Sequence, residues 1–401
     1  MPRSLILCTV TLALLTAGLC PAQDTNWPNW RGPNHDGISP EKGFSTKLDA
    51  PPPLAWSADI GAAFSAVVCV GDKLYTCGTL DESQVLFCVD SASGQILWKT
   101  PFEKAYPDGQ GGDGTRGTPA VDDGRVYVQG AWGRVACFDA ATGKELWHRD
   151  CTTPPRWGYS ASVLIEQDLV LATAGEDAGA LVALNKQTGQ EVWKCGDGAV
   201  GYATPYPFTF EGQRYVVGFM AKQVLIAELK TGRVVWNMPW TTDWDVNAAT
   251  PMFHDGYLFL SSGYKHGATL LKLARTGDTL TSQPVWENKN IRAKFQTPVL
   301  VNGYLYTSDE VGLKCVEFAT GEEKWSQRGV KHGTVVAADN HLIVLTEDGR
   351  LLIAPATPKG WTPTTDVPLM DGRHWTVPTL LHGCLYVRNL EKLACYNLRG
   401  K

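Results

Sequence analysis

Phe64, Arg116, Tyr159, Tyr202, Asn247, Gln296, His332 and Trp375 occupy matching places along this chain, each just before a Thr-Pro or its equivalent. Trp157, Trp244, Asp245, Lys294 and His374 stand close behind them. Aromatic faces, cations and amides brought to one point would stack on, pair with and hydrogen-bond a planar, anionic ligand. The richest segment is DWDVNAATP (243–251), where Asp243, Asp245 and Asn247 offer hard oxygen ligands of the kind Ca²⁺ takes. A carboxylate there, Asp245, would also serve as general base toward an alcohol. Against this, Asp and Asn commonly satisfy the backbone of a turn, and Ca²⁺ wants about six oxygens or more. With no Glu partner in view, the turn is the favoured reading of this segment.

Other motifs carry less. The loop YPDGQGGDGTRG (106–117) presents Asp108 and Asp113, but their spacing matches no EF-hand and the composition is that of a surface loop. Lys265 and His266 in SGYKHGATLL have no carboxylate or nucleophile beside them in sequence. No Ser-His-Asp pattern, phosphate-cradling glycine loop or His-x-x-x-His stands out. Nine cysteines follow the N-terminal segment, with no Cys-Cys, Cys-x-x-Cys or haem-binding Cys-x-x-Cys-His among them. Cys88, Cys137, Cys315 and Cys395 share one repeat position, where the third repeat has Ala183, so they read as small apolar packing residues. Cys77 and Cys88 sit in neighbouring strands of one repeat, where a bridge is an open alternative.

The elements that must position these residues are repeats. SGQILW (93–98), TGKELW (142–147), TGQEVW (188–193), TGRVVW (231–236) and TGEEKW (320–325) recur, with a longer variant ending at Trp286. Upstream of each lies a turn and an apolar strand, as in GDKLYTCG, DGRVYVQG and NGYLYTSD, and eight such units can be counted. Alternation with period two and Gly or Asp at the turns predict antiparallel strands, four to a unit. The spacing of the tryptophans is that of propeller blades. Strand A of a blade lies nearest the axis, which is why the residues ahead of each Thr-Pro should meet at the mouth of the channel. The eighth unit ends after its third strand, while PPLAWSADIG near the other end has the pattern of the fourth. Residues 54–60 are therefore expected to complete the last blade and close the ring.

Composition agrees. Gly (41), Pro (24) and Trp (15) are frequent and only 19% of residues are charged, which suits short strands and tight turns. A net charge of −5 without a basic stripe argues against a nucleic-acid partner. Residues 1–22 read as a cleavable secretory signal, with an apolar run from Leu5 to Leu19 and small residues ending at Ala22. A retained anchor and a lipoprotein acylated at Cys20 are the alternatives, although Leu19 is bulky for lipoprotein processing. No later segment is long and apolar enough to span a bilayer. The expected organisation is a signal peptide (1–22), an arm (23–53) and a propeller (54–401).

The repeated A/C-φ-D-x-x-T-G-x-x-φ-W pattern over 54–401 resembles the repeat of quinoprotein dehydrogenases and of BamB-like outer-membrane-assembly proteins. The segment NWPNWRGPNHDG is similar to that of secreted proteins with such repeats. The resemblance implies an all-β, eight-bladed propeller of four-stranded antiparallel blades, in a family whose members divide between those that bind pyrroloquinoline quinone (PQQ) and those that do not. The expectation is an exported, periplasmic or secreted binding and scaffolding protein with protein partners in the cell envelope. The alternative is a PQQ- and Ca²⁺-dependent oxidoreductase acting on alcohols or sugars, whose protein would hold the quinone at Arg116, Tyr159, Tyr202, Asn247, Gln296, His332 and Trp375 and the metal at Asp243, Asp245 and Asn247. The adjacent-cysteine pair common in the alcohol-oxidising members is missing. A carbohydrate-binding module is a third reading, from the aromatics at the mouth, though Arg116, Lys294 and His332 favour an anion.

Overall fold

The computed structural model describes residues 26–151, 153–175 and 179–399. The expected signal at 1–22, with Cys20, lies outside the described residues.

Eight antiparallel sheets follow one another around an axis. The second blade shows the plan: Ala120–Asp122 innermost, then Arg125–Gln129, Arg134–Asp139 and Glu145–Asp150 at the outer edge. The remaining blades span 68–104, 164–195, 206–239, 252–288, 299–327, 334–368 and 379–397. Leu54–Asp59 pairs antiparallel with Lys392–Asn397, Trp56 facing Cys395, and supplies the last blade's outer strand. The ring is thus closed by the strand the sequence pattern indicated.

The turn and the tryptophan recur together because they touch. Trp147 of blade 2 lies over Gly189 in the turn of blade 3, where an added Cβ would come within 2.6 Å of its ring, and its Nε1 donates to Lys186 O at 3.1 Å. The same contact joins Trp56 to Gly94, Trp98 to Gly143, Trp193 to Gly232 and Trp286 to Gly321. Each glycine has φ near +71° or +75°, a backbone region that disfavours a side chain on its own account. A register shift just before Trp147, repeated before Trp56 and beside Trp98, Trp193 and Trp325, inserts an extra residue there. Such a bulge sharpens the local twist and re-aims a side chain.

Directly across from these tryptophans stand the small residues of the third strand: Cys137 faces Trp147, Cys88 faces Trp98, Cys315 faces Trp325 and Ala183 faces Trp193. In blades 4 and 5 the same slot holds Ile226 and Leu270. All nine cysteines of the described residues are buried and free, Cys77 and Cys88 included.

Around the axis the Thr-Pro motif fastens blade to blade. Backbone N–H groups of Ala66, Thr118 and Ser162 donate to the hydroxyls of Thr118, Ser162 and Thr204 of the next blade, at 2.9, 2.9 and 3.0 Å. Thr250 N–H donates likewise to Thr297 at 2.9 Å. The buried Thr250 hydroxyl has no partner, so the series is interrupted between blades 4 and 5.

The arm closes one end of the channel. Trp27 exchanges backbone hydrogen bonds with Cys69 of blade 1, and Pro28 O accepts from Val121 N of blade 2. Three residues later the fully buried Arg31 donates to Thr297 O at 2.8 Å and Pro298 O at 2.6 Å in blade 6. The chain has therefore crossed the axis. It then pairs Ile38–Ser39 in parallel with blade 7 and reaches blade 8 through the Phe44–Arg399 bridge.

Candidate functional site

At the opposite end the channel opens into a cavity of about 380 Å³. Its far end is Trp30, carried there by the arm crossing, so the cavity is a blind funnel. Phe64, Arg116, Tyr202, Gln296 and Trp375 line it, together with Trp157 and Lys294. The propeller brings these together because each begins or precedes an innermost strand.

The aromatics form two walls. On one side Phe64 stacks on Trp375 at 5.5 Å, which meets Phe295 at 5.2 Å, which stacks on His332 at 5.2 Å. On the other, Trp157 and Tyr202 lie 6.0 Å apart, and burial pushes the Tyr202 hydroxyl up to about 12. The second wall continues out to the surface. The Arg156 guanidinium sits 5.1 Å from the Trp157 ring and 5.0 Å from Trp244, a residue that is 63% exposed.

The charges are distributed unequally. Arg116 pairs with Asp108 at 2.8 Å and donates to Gly112 O and Gly114 O in its own loop. Burial lowers the Arg116 pKa, and the Asp108 carboxylate opposes that shift. Lys294 has no carboxylate within salt-bridge reach among the described residues, and its Nζ lies 5.1 Å from the Tyr264 ring and 5.8 Å from Phe295. One buried polar atom of the lining has an open valence, Gln296 Oε1, an acceptor, while the Trp375 indole N–H is directed at the Glu347 carboxyl. Gln296 Nε2 is already used, donating to His332 O at 2.7 Å.

The 106–117 loop lies over this opening. Trp157 Nε1 donates to Gln110 Oε1 at 3.1 Å, and Arg373 Nη1 to Gly111 O at 2.6 Å, tying the loop to blades 3 and 8.

Several expected residues stand elsewhere. Tyr159 is buried between blades 2 and 3, its hydroxyl 2.9 Å from Thr153 O and 2.8 Å from Ala174 O. Asn247 is wholly buried, donating to Met220 O and Ala221 O and accepting from Ser262 Oγ at 2.9 Å. His332 backs the wall, with Nδ1 3.2 Å from Glu347 Oε2. His374 is buried and its imidazolium disfavoured by burial. Asp243–Asp245 form a 3₁₀ turn with no buried residue, and neither aspartate lines the cavity. Trp30, Tyr264 and Phe295 line it without having been singled out by sequence. The Thr-Pro register had pointed one residue past Phe295, and Trp30 lies outside the repeats altogether.

A calcium–quinone centre does not fit these residues. Among the described residues the one carboxylate lining the cavity, Asp108, is held by Arg116, and the Asn247 side chain is fully engaged. Among the described residues no three of His, Cys, Asp and Glu converge as metal ligands would. Of the two cations lining the cavity, Arg116 is already paired, which leaves Lys294 for a ligand anion.

Fold and mouth together define an eight-bladed propeller with PQQ-like repeats and a blind axial pocket. The chain belongs to the family described as outer membrane protein assembly factor BamB, whose model matches residues 81–327. It is 24% identical over 345 residues to the outer membrane protein assembly factor BamB of Burkholderia pseudomallei, covering 73% of this chain and 85% of that one. It is also 28% identical over 189 residues to the quinohemoprotein alcohol dehydrogenase ADH-IIG of Pseudomonas putida, a match covering 43% of this chain and 26% of the dehydrogenase. The crystal structure of BamB from Moraxella catarrhalis superposes with a TM-score of 0.65 at 16% identity, over 86% of this chain and 99% of that one, a likeness of fold.

Proposed function

We propose that this chain is a non-enzymatic binding and scaffolding protein of the cell envelope, exported to the periplasm or beyond, and that it engages a protein partner through the face bearing the mouth. The observation that carries the reading is the stack of exposed Trp244, Arg156 and Trp157 leading into the cavity. Trp and Arg are the residues that most often dominate protein interfaces, and a ready-made stack loses little freedom on binding. The family description and the assembly-factor relative support a role among protein partners in the envelope. The cavity, in turn, offers an open hydrogen-bond acceptor and, among the described residues, no unpaired carboxylate.

A photo-crosslinking residue placed at Trp244 in cells should yield crosslinks to protein, and one at Lys42 on the arm should not yield the same adducts. In parallel, calorimetric titration of the protein with PQQ, with and without Ca²⁺, should give no saturable heat. Absence of protein crosslinks at Trp244, or one-to-one Ca²⁺-dependent quinone binding, would overturn the proposal.

A further inference from the structure

The geometry points to the chemistry of the segment that enters the mouth: a peptide aromatic side chain with one carboxylate beside it. This deepens the partner-binding reading and rests on it.

The shape is the first reason. Trp157 and Tyr202 on one side, and Phe64, Trp375 and Phe295 on the other, give two apolar walls with a floor at Trp30. A cavity of about 380 Å³ admits a ring with its adjoining backbone. Offset or edgewise ring contacts add attraction beyond the area they bury.

The charge is the second. With Arg116 neutralised by Asp108, Lys294 is the one lining cation without a carboxylate among the described residues. One ammonium against two aromatic walls matches one anionic group. A tricarboxylate would bring surplus charge into a partly buried site, and a neutral ring would leave the ammonium unanswered.

An unpartnered acceptor is the third. Gln296 Oε1 is buried in the lining and accepts no hydrogen bond, whereas the Trp375 indole N–H is directed at the Glu347 carboxyl. The N–H of a peptide group adjoining the ring is the donor that Gln296 Oε1 lacks. Leaving such an atom unpaired is costly, and its pairing on binding rewards a ligand with an amide next to its ring.

The test is a ligand-observed NMR titration with N-acetyl-tyrosine, N-acetyl-tyrosine amide and N-acetyl-alanine. The tyrosine acid should bind saturably, its amide on the order of tenfold more weakly, and the alanine not at all. Lys294→Met, which keeps the stem and removes the charge, should erase the acid–amide difference. Trp157→Ala should weaken both tyrosine ligands, with an unchanged unfolding temperature certifying each variant. Equal binding of acid and amide, a difference that survives Lys294→Met, or no tyrosine binding at all overturns the inference. If tyrosine binding fails while crosslinks at Trp244 persist, the ligand class falls and the docking face stands. If the crosslinks fail while tyrosine binding obeys Lys294, the reverse holds.

Discussion

The Arg116 guanidinium and the Asp108 carboxylate, 2.8 Å apart and with side chains only 9% and 12% exposed, neutralise one another at the rim of the mouth. The guanidinium is held further by the Tyr106 ring at 4.7 Å. Its charge therefore organises the 106–117 loop. Breaking one half of such a pair leaves the other charge buried and unanswered.

Removing the acid should release that charge toward the cavity. Asp108→Asn keeps a hydrogen-bond acceptor for Arg116 while deleting the anion. We expect citrate and PQQ to bind at least about tenfold more tightly to the variant than to the native protein. Calorimetry at low salt checks this, and the gain should shrink as salt is added. Unchanged affinity would mean that the loop carbonyls alone hold Arg116 away from ligands.

The Trp–Gly contact between blades makes a sharper prediction about stability. Trp147→Ala should cost about 3–5 kcal/mol through lost packing. Gly189→Ala should also destabilise, because its φ is +71° and its new Cβ would meet the Trp147 ring at 2.6 Å. The double variant should lose less than the sum, since Trp147→Ala removes the atoms that the Cβ strikes. Denaturant unfolding of the four proteins measures the coupling. Strict additivity would show that the glycine is required for its backbone conformation alone.

That contact also shows what was legible in the sequence. The turn and the tryptophan were visible as a repeat, and so was the strand around Trp56 that closes the ring. Their dependence on each other was not, because the residues that meet belong to different blades about forty positions apart, as with Trp147 and Gly189. The mouth was legible where the Thr-Pro register holds, at Arg116, Tyr202, Gln296 and Trp375. It misled at Tyr159 and Asn247, where the same register delivers a residue to the seam between blades. Trp30 had no signal, since an arm carries no period and its path depends on the buried hydrogen bonds of Arg31.

Among the nine buried thiols Cys384 should react first. Burial pushes most of the others up, Cys77 and Cys69 to about 12. Cys384 instead is drawn below the usual thiol range by the neighbouring Cys395 thiol and, less strongly, by Arg399. A thiolate is the reactive form, so the selectivity follows from the charge around it. Iodoacetamide at neutral pH under native conditions should label Cys384 before any other cysteine, as read by peptide mass spectrometry, and Cys384→Ser should remove that early phase. Early labelling distributed among several cysteines would contradict the assignment.

The arm should loosen in acid, and His35 is the reason. Burial lowers its pKa to about 4, while Glu166 favours the charged ring and Arg214 and Arg31 disfavour it. The His35 carbonyl also accepts from Arg31 Nε, so expulsion of a charged ring would disturb the residue that anchors the arm to blade 6. A histidine held below its unfolded value of about 6.5 contributes stability that is complete above that pH and is lost as pH falls from there toward 4. Hydrogen exchange should report this at Gly37, whose N–H donates to Arg31 O at 2.9 Å. Its protection factor should fall between pH 7.5 and pH 5, while that of Val128 in the blade 2 core changes little. His35→Gln, which stays neutral, should flatten the profile. A fall that persists in that variant would assign the acid sensitivity to another group and leave the arm indifferent to His35.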